Sequence, residues 1–339
     1  MMLSFVPELK LENETKNLQG QLAELHQALE GLAAEEARYL HRLAFISNIG
    51  ASTRIENAVL TDSEDDGVDT TLSRDGRPMA FKHQKTYILD KLAKDRERSV
   101  EEVVGCRQVL QTVYMQAEEL YPLSETIIRG LHHDMLRFHQ QAGHYAGRYK
   151  QAPNRVLYVN HATGEERTVL DPAPPGIITE TAMADLVEWY NRAIRRHPWP
   201  LLVATELVFR FLAIHPFQDG NGRLGRVLFI LALLQSGDKY WGKVSPFLAV
   251  DRHIEQHRAL YYTTLQRAAG GQYHADPRKY DYPPLCWFFL KIVKEALADI
   301  DFYRRRYARH IQLSESALAV LEAFKDRPEK RIKAAEIVN

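Results

Sequence analysis

Apolar residues recur at three- and four-residue steps along most of the chain, which is typical of amphipathic α-helices. In the first such segment the steps are Leu22, Leu25, Leu29 and Leu32, set among Glu, Gln and Ala. This spacing predicts helices over 18–43, 82–115, 124–139, 179–196, 201–214, 224–235, 252–267 and 285–307. Two shorter helical segments are predicted near the C-terminus, over 314–324 and 332–338.

The β-strand signal is confined to one stretch, from Arg155 to Leu170. Segments 155–160 and 167–170 are rich in Val, Leu, Thr and Tyr, and turn-forming residues at 161–165 separate them, which predicts one hairpin. Pro172, Pro174 and Pro175 then end the hairpin, because prolines cannot sit in a central strand. One hairpin in an otherwise helical chain predicts the all-α fold class, with a polar loop expected over 61–67.

Composition narrows the possible classes of function. Among 339 residues, 44 Lys and Arg balance 44 Asp and Glu, which argues against a globally basic nucleic-acid-binding protein. The longest apolar run, 227–234, is too short for a membrane span, and the N-terminus lacks the pattern of a secretory signal. Two cysteines, Cys106 and Cys286, cannot form a disulfide framework or a structural zinc site. These features favour a cytoplasmic protein without a membrane partner.

The segment 215–226, HPFQDGNGRLGR, is a polar loop between two apolar helical runs. Gly220 and Gly222 allow the positive φ angles of a tight loop. Such a loop at a helix N-terminus directs backbone N–H groups at an anion. Arg223 and Arg226 lie three residues apart, so on a helix they share a face and could hold further phosphate oxygens. The segment therefore predicts a phosphate-binding site.

Two side chains in this segment add chemistry. Asp219 lies among the phosphate-binding groups, where a single carboxylate is suited to Mg²⁺ shared with substrate phosphates. His215 is the natural proton acceptor near neutral pH.

Three other interpretations compete with this one. The GxGxxG spacing of 220–225 matches a dinucleotide fingerprint, but a helical run precedes it where that fingerprint needs a strand. The spacing also fits a P-loop, but Arg226 and Val227 replace its Lys-Ser/Thr pair. The structural alternative is a loop whose Asp and Arg side chains pair only with each other.

The same twelve residues resemble the signature of Fic proteins, HPFx(D/E)GNGRxxR, at every defining position. The segments 185–191 and 258–265 and the Pro174–Pro175 pair are also similar to Fic sequences, so the resemblance covers about 125–270. It implies an α-helical bundle with a β-hairpin flap, and AMP transfer from ATP to a protein hydroxyl. The expected organisation is an N-terminal helical region over 1–124, a Fic core over 125–270, and a C-terminal unit over 271–339 that resembles an incomplete winged helix.

The resemblance also implies roles for the residues. His215 would take the proton from a target Ser, Thr or Tyr hydroxyl, which then attacks the α-phosphorus of ATP. Asp219 would hold Mg²⁺. Contacts to the phosphates would come from Gly220, Asn221, Gly222, Arg223 and Arg226. The flap from Arg155 to Leu170 would pair with an extended segment of the target protein.

A second motif lies upstream. Ser52, Glu56 and Asn57 match the inhibitory pattern (S/T)xxxE(G/N) of the family, and their position before the core resembles class II members. This implies that Glu56 pairs with Arg226 in place of the ATP γ-phosphate and keeps the enzyme inactive.

Several alternatives stay open at this stage. Tyr262 is a candidate neighbour of the nucleobase, and the transferred nucleotide could be UMP or GMP. The same site could remove AMP from a target, with Glu56 positioning a water. A function of another class is a nucleotide-sensing, DNA-binding regulator. His132 and His133 are interpreted as structural. Related class II proteins often dimerise, so a homodimer is expected.

Overall fold

The computed structural model of the chain describes residues 2–56, 97–139, 142–160 and 165–311. Several sequence predictions fall outside these residues: Asn57 of the inhibitory motif, the loop 61–67, the first part of the helix predicted over 82–115, most of the hairpin turn, and the winged-helix-like segments beyond 311.

The described chain is helical apart from one hairpin, which confirms the predicted all-α class with a single β-hairpin. The helices before the hairpin are α1 (Leu9–Glu30), α2 (Ala34–Ile55), α3 (Glu97–Gln116) and α4 (Glu125–Leu136). The hairpin consists of β1 (Val156–Asn160) and β2 (Glu165–Leu170). After it come α5 (Ile177–Ala193), α6 (Pro200–Ile214), α7 (Asn221–Leu234), α8 (Trp241–Val244), α9 (Val250–Gln256), α10 (Arg258–Ala269) and α11 (Pro283–Ile311).

The helices α6 and α7 form the centre of the fold and pack along each other. Every residue of α6 is buried, as is nearly all of α7. This explains the long apolar runs on either side of the polar segment 215–220. The segment is therefore a polar turn between two buried helices, which hold it at both ends.

Two predicted single helices are wrong, because each is broken. The helix predicted over 18–43 is divided between α1 and α2 at Gly31, with Ala33 in an extended conformation. Leu29 and Leu32 both pack against the core, so the apolar spacing continues through the break. The helix predicted over 252–267 is divided at His257, which separates α9 from α10.

The C-terminal half of α2 is buried in the core. Asn48 Nδ2 donates to the carbonyl of Leu248 (2.8 Å), and Asn48 Oδ1 accepts from the backbone N–H of Asp251 (3.0 Å). Near the end of the helix, Arg54 donates to both carboxylate oxygens of Glu255 on α9, at 2.7 and 3.0 Å. These contacts fix the end of α2 against α9, close to the start of α7.

The hairpin is antiparallel, with Leu157 opposite Thr168 and Tyr158 opposite Arg167. It rests on α10: Gln266 Nε2 donates to the carbonyl of Thr168 (3.1 Å), and Arg167 Nη2 donates to Thr263 Oγ1 (2.9 Å). Strand β2 therefore faces the helical body.

None of the described helices combines the length and the apolar character needed to cross a membrane.

Candidate active site

The polar segment begins where α6 ends, at His215. This residue closes the helix with its backbone N–H on the carbonyl of Phe211 (2.8 Å) and has φ 49°, in the left-handed region. It is the one non-glycine residue in the described chain with positive φ. Such a conformation is disfavoured for a residue with a β-carbon, so surrounding contacts must hold it.

The imidazole of His215 is prepared to act as a base. Its Nδ1 lies 3.3 Å from the carbonyl of Leu212, which can only accept, so Nδ1 carries the proton and Nε2 has the free lone pair. Burial, reinforced by the positive charge of Lys150, lowers the pKa of His215 to about 4. The side chain is therefore neutral at pH 7.

Asn221 holds the turn between His215 and α7 in shape. Its Oδ1 accepts from the backbone N–H of Phe217 (2.9 Å), and its Nδ2 donates to the carbonyl of the same residue (2.7 Å). Asn221 is almost completely buried. Its side chain therefore fixes the loop, and a contact with an anion would come from its backbone N–H.

The N-terminus of α7 has the properties of an anion site. Gly220 is the N-cap with φ 77°, and no side chain caps the first turn. Gly222 does not have positive φ, so the prediction that it serves a tight loop is wrong. It is helical, and a β-carbon there would lie 2.1 Å from Glu56 Oε1. A glycine is needed because a carboxylate approaches the backbone this closely.

Arg226 pairs with the carboxylate of Glu56 and donates further hydrogen bonds to the end of α2. Its Nη1 donates to Glu56 Oε1 (3.0 Å), its Nε to Ser52 Oγ (3.0 Å), and its Nη2 to the Ser52 carbonyl (2.7 Å). The Arg226 side chain is 1% exposed, whereas that of Glu56 is 31% exposed. Ser52 and Glu56 thus hold Arg226 from the end of α2.

A second carboxylate, Asp251, lies behind Arg226. Its Oδ2 is 3.9 Å from Arg226 Nε, and its side chain is 2% exposed. Burial raises the pKa of Asp251 to about 6, against the opposing effect of Arg226. Sequence analysis missed Asp251 and Asn48, because neither lies in a motif and each reaches the site through long-range contacts.

Arg223 occupies a different position from Arg226. It is buried, with Nη1 3.8 Å from Glu102 Oε2 and Nη2 3.7 Å from Asp219 Oδ1. It is not among the residues that line the cavity described below. The structure therefore places Arg223 behind Asp219 and leaves Arg226 as the signature arginine at the cavity.

His132 supports the loop from α4, in agreement with its interpretation as structural. The backbone N–H of Gly147 donates to its Nδ1 (2.8 Å), so Nε2 carries the proton and donates to the carbonyl of Asp219 (2.9 Å). The ring stacks on Phe217 at 3.8 Å. Burial lowers the pKa of His132 to about 4. His133 is exposed and contacts the neighbouring Asp134.

These groups surround a cavity of about 230 Å³ between the hairpin, α7 and α10. Polar and charged lining residues include Glu56, His215, Asp219, Asn221 and Arg226. Apolar lining comes from Val169, Leu212 and Leu265, and Tyr261 and Tyr262 complete the wall. Tyr262 lies 5.3 Å, centroid to centroid, from Tyr158 of β1. The cavity thus joins a base, an arginine and an uncapped helix N-terminus to an aromatic wall.

Asp219 fits the demands of a magnesium ion shared with a substrate. Its side chain is 43% exposed and lines the cavity, and Oδ1 accepts from the backbone N–H of Gly220 (2.6 Å). The described residues contain no group of three or more His, Cys, Asp or Glu that could hold a metal alone. Mg²⁺ is bound elsewhere by one or two carboxylates plus phosphate oxygens, which suits this single carboxylate.

Residues 122–233 match the model of the Fic/DOC family, so this part of the chain is a Fic domain. The solved structures agree in fold. A Fic domain-containing signaling protein of Bacteroides thetaiotaomicron superposes with a TM-score of 0.61 at 22% identity, covering 85% of this chain and 96% of that one. Fic-1 of Caenorhabditis elegans superposes with a TM-score of 0.58 at 19% identity, covering 87% of this chain and 73% of that one.

Two curated relatives carry names that describe an activity. The protein adenylyltransferase and cysteine protease IbpA of Histophilus somni is 27% identical over 132 residues, which are 39% of this chain and 3% of the relative. The protein adenylyltransferase fic-1 of Caenorhabditis briggsae is 35% identical over 97 residues, 29% of this chain and 17% of the relative. The chain thus spans less than a fifth of the length of either.

Proposed function

We propose that the protein is an adenylyltransferase that moves AMP from ATP to a hydroxyl group of a protein, and that Glu56 holds it inactive. The observation that carries the proposal is the cavity in which neutral His215 meets Arg226 and the uncapped N-terminus of α7. The names of the curated relatives support the reaction type.

In this reaction His215 Nε2 takes the proton of the target hydroxyl. The hydroxyl oxygen forms a bond to the α-phosphorus of ATP as the bond to the β-phosphate oxygen breaks, and pyrophosphate leaves. The backbone N–H groups of the first turn of α7 bind phosphate oxygens, and Arg226 binds the γ-phosphate. Mg²⁺ held by Asp219 would neutralise phosphate charge, and Tyr262 would border the base.

Autoinhibition follows from competition for one guanidinium group. Glu56 already accepts from Arg226 Nη1, and its carboxylate contacts the first turn of α7 at Gly222. Both positions are those that an ATP γ-phosphate would need. A bound triphosphate would then sit beside a carboxylate, displaced from the geometry for in-line attack.

The hairpin supplies a docking edge for the target. Gln266 of α10 occupies a backbone carbonyl of β2, so we expect the target to pair with the edge of β1. An extended segment could add to β1 by main-chain hydrogen bonds, with its hydroxyl residue over His215.

The test is incorporation of label from α-labelled ATP into protein by wild type, Glu56→Gly and the double variant Glu56→Gly/His215→Ala. We expect weak labelling by wild type, strong labelling by Glu56→Gly, and a loss of about 10²–10⁴-fold in the double variant. Equal labelling by both variants would remove His215 from the reaction. No labelling by Glu56→Gly, on itself or on a cell lysate, would refute the proposal.

A further inference from the structure

The backbone that carries His215 is held by a buried lysine outside the signature. Lys150 lies before the flap and is 3% exposed. Its Nζ donates to the carbonyl of Ile214 (3.0 Å), and its backbone N–H donates to the carbonyl of Pro216 (2.8 Å). Lys150 therefore holds the carbonyls on both sides of the candidate base.

Asn154 completes the arrangement. Its Nδ2 donates to the carbonyls of His215 (3.3 Å) and Phe217 (2.8 Å), and its Oδ1 accepts from Lys150 Nζ (2.9 Å). The carbonyls of residues 214, 215, 216 and 217 thus all accept hydrogen bonds from these two residues. Such a run of satisfied carbonyls over a non-helical turn fixes its backbone torsions.

This turn has a reason to need fixing. His215 has φ 49°, a conformation that costs on the order of 1–3 kcal/mol and persists only where the surroundings over-determine it. The Nδ1 contact of His215 with Leu212 fixes the tautomer of the ring but does not restrain the backbone torsions. The contacts from Lys150 and Asn154 act on the backbone itself.

We propose that Lys150 and Asn154 are positioning residues, which together hold the 214–217 backbone so that His215 faces the cavity, with the Lys150 ammonium group placed behind it. The proposal rests on the proposed function, because it takes His215 as the base. The proposal assigns a role in the active site to two residues outside the segment 215–226, and their substitution should have different effects on His215.

The two residues differ in charge, and this separates their effects. The ammonium group of Lys150 disfavours a second positive charge on His215, whereas neutral Asn154 acts through geometry alone. Burial lowers the pKa of Lys150 only to about 8, so it stays charged where His215 titrates. The charged groups that face His215 or line the same cavity are Lys150, Glu56, Asp219, Arg155 and Arg226. Of these, Lys150 is the one that donates to the backbone carbonyls on either side of His215.

The first measurement is an NMR titration of the His215 imidazole, with Lys150→Met and Asn154→Ala introduced one at a time into the wild-type protein. The His215 signal is assigned as the one missing from the spectrum of His215→Gln. In Lys150→Met we expect the pKa of His215 to rise by on the order of one pH unit. In Asn154→Ala we expect little change. This arm needs no enzymatic activity, so it tests the role of Lys150 even if no nucleotide transfer is found.

The second measurement is the rate of transfer in the Glu56→Gly background. Asn154 is only partly buried, so Asn154→Ala is expected to fold, and we expect its kcat to fall by about 10- to 100-fold while KM for ATP stays near that of the parent. In Lys150→Met the acidic limb of the pH–rate profile should move to higher pH, and Lys150→Arg should restore its position.

Two results would overturn the proposal. An unchanged titration of His215 in Lys150→Met would refute the electrostatic role of Lys150. An unchanged kcat in Asn154→Ala, measured against an active Glu56→Gly parent, would refute the positioning role. If the Glu56→Gly parent itself transfers nothing, the proposed function fails, and the titration alone decides the effect of Lys150.

Discussion

Replacing Glu56 with Gln should strengthen ATP binding without disturbing the fold. Gln has nearly the same size and its Oε1 can still accept from Arg226 Nη1, so the change isolates the charge. Gln keeps the hydrogen bond to the charged guanidinium but loses the attraction between opposite charges, which for a partly exposed pair is on the order of 1 kcal/mol. Relieving the repulsion between carboxylate and triphosphate adds a similar amount, reduced because Glu56 is 31% exposed. We therefore expect ATP to bind about 10- to 100-fold more tightly.

Isothermal titration calorimetry with ATP and Mg²⁺ measures this directly, and the chain offers a matched control. Glu255 pairs with Arg54 at the same end of α2 but does not line the cavity. Glu255→Gln removes the same charge close by while its amide oxygen can still accept from Arg54, and we expect the affinity for ATP to stay within about two-fold of wild type. Equal affinities of Glu56→Gln and wild type, or equal gains in both variants, would refute the competition between Glu56 and the γ-phosphate.

Three further predictions concern the loop and its support. Asp219→Asn in the Glu56→Gly background should raise the Mg²⁺ concentration needed for half-maximal transfer by at least about ten-fold, since one of few metal ligands is lost; an unchanged Mg²⁺ titration would exclude Asp219 as ligand. Gly222→Ala should not reproduce the activation by Glu56→Gly, because its β-carbon displaces Glu56 but also blocks the phosphate position; strong labelling by Gly222→Ala would contradict this. The folded pKa of His132 is about 4, below its unfolded value of 6.5, so the unfolded chain takes up the proton first as pH falls. Between pH 7 and pH 5, the free energy of unfolding of wild type should fall by about 2 kcal/mol more than that of His132→Gln, as measured by chemical denaturation. Equal decreases would show that His132 is not held neutral in the folded protein.

The sequence predicted the parts of the site that lie in contiguous motifs. The segment 215–226 does form the polar turn between two buried helices, and Glu56 lies against Arg226 although 170 residues separate them. Most helices could be predicted from the sequence. The outer helices have one apolar face, which gives a clear helical spacing, and α6 and α7 are buried on nearly all sides and appear as long apolar runs.

The rest of the site could not be predicted, because it depends on contacts between residues far apart in the sequence. The i,i+3 spacing of Arg223 and Arg226 suggested a shared role, but Glu102 of α3 holds Arg223 away from the cavity. Gly222 allows the carboxylate of Glu56 to lie close to the helix backbone, and no local sequence pattern indicates this contact. Lys150 and Asn154 are ordinary polar residues in the sequence, and only the folded chain brings them to the backbone of the turn. Such contacts have no periodic signature that sequence analysis could detect.

The central claim is that the protein transfers AMP from ATP to a protein hydroxyl. It is tested most directly by giving the Glu56→Gly variant either α-labelled or γ-labelled ATP and measuring the label that stays on protein. Transfer of AMP keeps the α-phosphorus on the target and releases the γ-phosphorus in pyrophosphate, so we predict strong labelling with the first and none with the second. Labelling from the γ-position would show phosphate transfer instead, and no stable labelling from either would contradict nucleotide transfer by this site.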